Sequence, residues 1–158
     1  MPYTPLHLGP SGVAALLFPK KIDVPVFLLV NIVVDLEVWV ASALRTGPLP
    51  IRYGHTLLIA GAAGLAFGAA AYPLKGLFSR AMEKLRLHYE TSFKKMALSG
   101  LLGAWLHVLI DGLYRSNVVL FWPSTLSNPF CRFDKVQVET ACLIMLVIAL
   151  IMALGRRS

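Results

Sequence analysis

Five long apolar runs divide this chain, and the short basic clusters between them leave few architectures open. The runs lie at about residues 6–18, 23–44, 55–75, 97–114 and 136–154, the last closed by "GRRS". Hydrophobic residues make up 57% of the 158 and charged residues 15%, with a mean hydropathy of +0.69. That is too apolar for a soluble globule. Several runs approach or exceed the ~18 apolar residues that read as a bilayer span. The length is that of one domain. The expectation is therefore all-α: a single integral-membrane domain over 1–158, a polytopic bundle of about five apolar helices. The opening "MPYTPLHLGP" has no Lys or Arg before its apolar run and "PKK" follows it, the reverse of a cleavable signal peptide.

Between the third and fourth runs lies "KGLFSRAMEKLRLHYETSFKK", with apolar residues at 77, 78, 82, 85 and 89. This roughly helical period, with basic residues between, predicts an amphipathic interfacial helix over about 75–96. His88 within it reads as solvated. The 75–95 segment has six Lys/Arg against two Glu, which places it on the cytoplasmic side. Counting spans outward puts Lys20, Lys21, Arg156 and Arg157 on that side as well. The expected topology is N-terminus out and C-terminus in, with loops 45–54 and 115–135 outside, in the cytoplasmic (inner or plasma) membrane of a prokaryote. The net charge of +7 is spread over these clusters, so the expected partners are membrane lipids rather than nucleic acid. Gly61, Gly64 and Gly68, and Gly100, Gly103 and Ala104, form small-residue faces suited to close helix packing in lipid. Cys131 and Cys142 form no CxxC and no disulfide framework. Trp122 reads as an aromatic anchor at the interface.

The apolar runs are interrupted by a few titratable residues. His107 and Asp111 are i, i+4 and share one helix face with Gly100 and Ala104. Asp35 lies one turn above Asn31, and Glu37 points roughly 200° away from Asp35 on an ideal helix. At ~1.5 Å per residue above the basic anchors, His7, Asp35, His107 and Asp111 fall at about 18–24 Å. His55 opens the third run at the same rim. In a hydrocarbon layer of ~30 Å these groups share the outer half. Burying three carboxylates at helix centres costs about 8–10 kcal/mol on insertion scales, which a divalent cation would offset. A thiol-free His/carboxylate set suits Zn²⁺, Mn²⁺ or Fe²⁺ better than Cu(I). Each residue taken alone also reads as an interhelical polar pair or an interfacial side chain. No GxSxG, HExxH, Walker or Rossmann motif occurs.

The early His of "TPLHLG", the acidic "DLE", "GHT", and "HVLID" followed by "LFWP" occur in that order over residues 4–123. In order and spacing they resemble the YdjM-like, LexA-binding, inner-membrane-associated metal-dependent hydrolases. The resemblance implies a helical membrane protein whose His/Asp residues hold a metal, matched here by His7, Asp35, His55, His107 and Asp111. Glu37 stands where an Asp is common. Val34 replaces a frequent Pro, "PIRYG" lacks a frequent extra His, and "YRSNVV" replaces a Thr-Pro-Gly element. The i, i+4 His/Asp helix also resembles, at fold level, the helical zinc phospholipase C and P1-type nuclease group. The functional expectation is a membrane-embedded metal-dependent hydrolase acting on an ester or phosphoester of an amphiphilic small molecule. Asp35 and His107 would be catalytic as metal ligands, and Glu37 a general base or a support for a histidine. Two alternatives stand beside it. One is a non-enzymatic protein moving metal ions or protons through the His/Asp/Glu cluster. The other is a structural protein with incidental polar pairs.

Overall fold

The computed structural model describes residues 4–44, 53–124 and 128–156, and within them every regular element is a helix. The order is α1 (Thr4–Leu17), α2 (Val24–Ala43), α3 (Leu57–Ala70), α4 (Lys75–Lys84), α5 (Phe93–Gly112) and α6 (Lys135–Gly155). Single 3-10 turns, Tyr53–His55 and Tyr72–Leu74, flank α3. Of the loop expected over 45–54, only Tyr53 and Gly54 lie among the described residues, and Arg157 lies outside them.

Short polar residues fix where helices begin, by satisfying the first orphan N–H groups. Asp23 Oδ1 accepts from the Val26 N–H at 3.1 Å, and Thr56 Oγ1 from Ile59 at 3.1 Å. Ser92 Oγ accepts from Lys95 at 3.2 Å. At α6 the Gln137 side chain reaches back to accept from the Asp134 N–H at 3.1 Å.

These boundaries correct the expectation of five spans. Among the described residues, α5 and α6 are long and apolar enough to cross a membrane, with mean hydropathies of 1.2 and 2.5. The α3 helix and the segment Tyr72–Lys84, bent by 43° at their junction, are together long and apolar enough for a third if the pair forms one broken span. Both α1 and α3 have 14 residues, or ~21 Å of helix against a hydrocarbon core of ~30 Å. The amphipathic helix is shorter than expected. It stops at Lys84, where Leu87 N–H bonds to Met82 O and Arg86 N–H to Glu83 O at 2.9 and 2.8 Å. This is a Schellman closure with Arg86 in the left-handed region (φ 57°). Phe78 and Met82 are the buried residues of α4, while His88 is exposed beside Glu90.

Packing follows the small-residue faces. The α3 and α5 backbones approach so closely at Gly64 and Gly100 that a Cβ on either would overlap the other's carbonyl oxygen. Gly9 plays the same part where α1 meets the Cys142 carbonyl of α6. The α2 helix packs on α1, α3 and α5 and turns Leu29, Ile32, Leu36 and Trp39 outward. Val30, Val34, Ala104, Val108, Val118 and Leu120 fill the apolar core beside it. By contrast α6 packs chiefly on α1 and exposes Leu143, Ile144, Val147, Leu150 and Ile151. An apolar surface of that extent needs lipid or a partner against it. Cys131 is exposed, Cys142 buried, and both are free thiols. Trp122 is partly exposed and meets Tyr53 edge to face at 5.7 Å.

Candidate metal centre

Four separate elements bring the expected residues together. His7 comes from α1, Asp35 from α2, His55 from the 3-10 turn before α3, and His107 and Asp111 from α5. All five are buried. His55 Nε2 lies 3.4 Å from Asp35 Oδ1 and 3.5 Å from Asp111 Oδ2. His107 Nε2 lies 3.4 Å from the same Asp35 oxygen. His7 Nε2 lies 3.3 Å from Asp111 Oδ1, and its ring stacks on His107 with centroids 4.2 Å apart. Asp35, His55 and His107 form a buried group whose ligand atoms lie within 4.8 Å of one another.

The tautomer of His107 follows from its neighbours. Asn31 Nδ2 donates to the Phe27 and Leu28 carbonyls at 3.2 and 2.9 Å, which fixes the amide so that Oδ1 is the atom facing His107. That oxygen can only accept, so His107 Nδ1, 3.2 Å away, carries the proton. In the neutral ring Nε2 then presents a lone pair. It lies 3.4 Å from the Asp35 carboxylate oxygen, longer than a well-formed hydrogen bond. A proton on Nε2 or a metal ion between the two would satisfy this contact. A charge-assisted N–H···O⁻ bond would close to ~2.7–2.9 Å. By comparison, ligands on a tetrahedral ion with bonds of ~2.0–2.1 Å stand about 3.4 Å apart. The two 3.4 Å separations from Asp35 Oδ1 leave room for an ion of that size.

Around this group sit the supports. Glu37 accepts the Gly54 N–H at 2.8 Å and lies 3.6 Å from His55 Nδ1, on the far side of that ring from Asp35. The geometry fits a residue that orients His55 rather than one inside the ligand set. Ser11 exchanges hydrogen bonds with Asn31. Tyr114 donates to Asp111 Oδ1 at 3.0 Å, and Arg115 Nε lies 3.2 Å from Asp111 Oδ2. Tyr114 and Arg115 do not figure in the sequence reading, although "DGLYR" places them three and four residues after Asp111, on its helix face. Asp23 was missed as well. It is a fully buried carboxylate ~18 Å down α2 from Asp35. Besides capping α2 it accepts from Tyr89 at 2.8 Å and from Thr91, while its N–H donates to Ser99 Oγ at 2.7 Å. It thus latches the 85–92 strap to the α1–α2 turn. Burial, with Asp23 beside it, pushes the Tyr89 hydroxyl well above the ordinary tyrosine range.

The donor set is two to three imidazoles with carboxylates and no thiol, which suits a borderline or hard divalent ion. The buried Asp35/His55/His107 group could hold such an ion. Compared with known proteins, the chain matches no family model, no curated protein and no solved structure.

Proposed function

We propose that the chain is a membrane-embedded, metal-dependent hydrolase, with Asp35, His55 and His107 holding one divalent ion, Zn²⁺ in first place. The observation that carries this reading is the buried convergence of Asp35, His55 and His107, with both histidine Nε2 atoms 3.4 Å from Asp35 Oδ1. When bound, the ion would supply a Lewis acid and a water acidified to a pKa of ~7. The chain's own residues do the rest. Glu37 and the Gly54 backbone orient His55, and Asn31 orients His107. Tyr114 and Arg115 hold Asp111 against His7. Val118 and Leu120, both fully buried beside Val34 and Val108, keep bulk water from one flank. The proposed substrate is an ester or phosphoester of an amphiphile, reached from the membrane. The proposed orientation has the cluster near the outer face, N-terminus out and C-terminus in, and the proposed kinship is with the YdjM-like hydrolases.

Ion or proton movement requires polar groups continuing to the other membrane face. Between Asn31 and the Asp23–Ser99 hydrogen bond at the other end of α2 the packing runs through Val26, Phe27 and Val30, all buried and apolar, which favours a one-sided site. Elemental analysis of purified protein tests the reading, together with turnover of lipid phosphoesters and acyl esters in mixed micelles. One divalent ion per chain is expected, lost in His107→Ala and Asp35→Ala along with turnover. Metal retained in both variants would remove the ligand assignment, and ion flux in proteoliposomes without turnover would favour transport.

A further inference from the structure

The basic clusters that the sequence separates by more than a hundred residues meet at one cavity, at the Asp23 end of the bundle. It has a volume of about 760 Å³. Lys20 reaches it from the α1–α2 turn, Lys95 from the first turn of α5, and Arg156 from just past the end of α6. Glu90 is the one acid among its described lining residues, and it already faces His88 at 3.2 Å. The Lys95 ammonium is held in place, donating to the Pro19 and Glu90 carbonyls at 2.8 and 2.6 Å. An ammonium has three donors, so one N–H remains for a ligand. One part of the wall is apolar, formed by Leu16, Val24, Met82 and Leu87, beside the polar Thr91 and Ser92. The cavity opens where α6, the more hydropathic of the two full-length spans, ends.

We infer that this cavity is a binding site for the phosphate headgroup of an anionic membrane lipid, with the first carbons of its chains against the apolar wall. Three cations against one acid select a negative ligand, and a volume in the range of small-molecule sites exceeds what a lone phosphate fills. The apolar wall and the span ending beside it favour a lipid over a soluble anion. The inference stands apart from the metal reading, since the two sites are at opposite ends of α2.

The test uses the full chain in nanodiscs containing equal amounts of phosphatidylglycerol and phosphatidylcholine, with retained lipids counted by native mass spectrometry. The wild type should retain phosphatidylglycerol selectively. Lys20→Gln/Arg156→Gln should lower the affinity for phosphatidylglycerol about thirtyfold, read as lost occupancy, since each cation facing an anionic headgroup contributes on the order of fivefold. The control Arg80→Gln/Lys84→Gln removes the same charge from exposed positions of α4 and should leave occupancy unchanged. All four positions are exposed, so folding is retained, and melting curves verify it. Equal losses in the two variants, or equal retention of phosphatidylcholine, would overturn the inference. Displacement of the lipid by millimolar inorganic phosphate would reassign the cavity to a soluble anion and overturn it too.

Discussion

Replacing Asn31 by leucine removes the acceptor that fixes His107 while touching none of the proposed ligands. In the wild type the Nδ1–H is satisfied by Asn31 Oδ1 at 3.2 Å, with no water needed. With an isobutyl side chain in place of the amide, that N–H is buried without a partner, at a cost of ~1–3 kcal/mol. The ring escapes the cost by moving its proton to Nε2 and donating to Asp35, which blocks the ligand lone pair. Outer partners of metal-binding histidines typically contribute 10- to 100-fold in metal affinity, or about 1.4–2.7 kcal/mol. The Zn²⁺ dissociation constant of Asn31→Leu should therefore rise by that factor, measured by competition with a chromophoric chelator in detergent. Asn31→Asp keeps an acceptor at the same place and should bind at least as tightly as wild type. A folded Asn31→Leu variant with unchanged affinity would refute both the tautomer assignment and the ion's place at His107.

Three further outcomes test the fold. Gly100→Val should push α5 away from the Gly64 carbonyl of α3 and lower stability by ~1–3 kcal/mol or more, read as a drop in Tm. Arg86→Gly should raise Tm modestly, because a left-handed non-glycine residue costs ~1–2 kcal/mol and the entropy lost on ordering Gly returns only part of that. Tyr89 is held neutral in the folded state by burial and by Asp23. Its folded pKa is raised, so the unfolded chain releases this proton first and stability falls as pH rises past ~10. Tyr89→Phe should flatten that alkaline loss in a pH series of melts, and an unchanged slope would contradict the latch.

Much of the site was legible because its signals are local. The i, i+4 spacing of His107 and Asp111 survives in any helix, similar distances from basic anchors put His7 and Asp35 near the level of that pair, and His55 joined them as the residue that opens the third run at the rim. The close helix pairs were legible too, since Gly64 and Gly100 have no side chain to hold two backbones apart. What was missed depends on backbone conformation or long-range contact. The end of α4 is set by Arg86 in a left-handed conformation, where the sequence shows an ordinary charged residue inside an amphipathic pattern. The α3 helix starts at Leu57, where Thr56 caps it, and ends at Ala70 before the Tyr72–Leu74 turn, which shortens an apolar run that hydropathy alone counts as a span. Asp23, in "KKIDVP", resembles an interfacial acid. Its burial comes from Tyr89 and Thr91, more than sixty residues away.

The account rests on a cation shared by α2, the turn before α3, and α5. Anomalous diffraction at the zinc edge from crystals grown with the metal bound tests this most directly. The expected result is one strong peak ~2.0–2.2 Å from Asp35 Oδ1, His55 Nε2 and His107 Nε2. No peak there, with His107 Nε2 instead donating a hydrogen bond to Asp35 at ~2.8 Å, would contradict it.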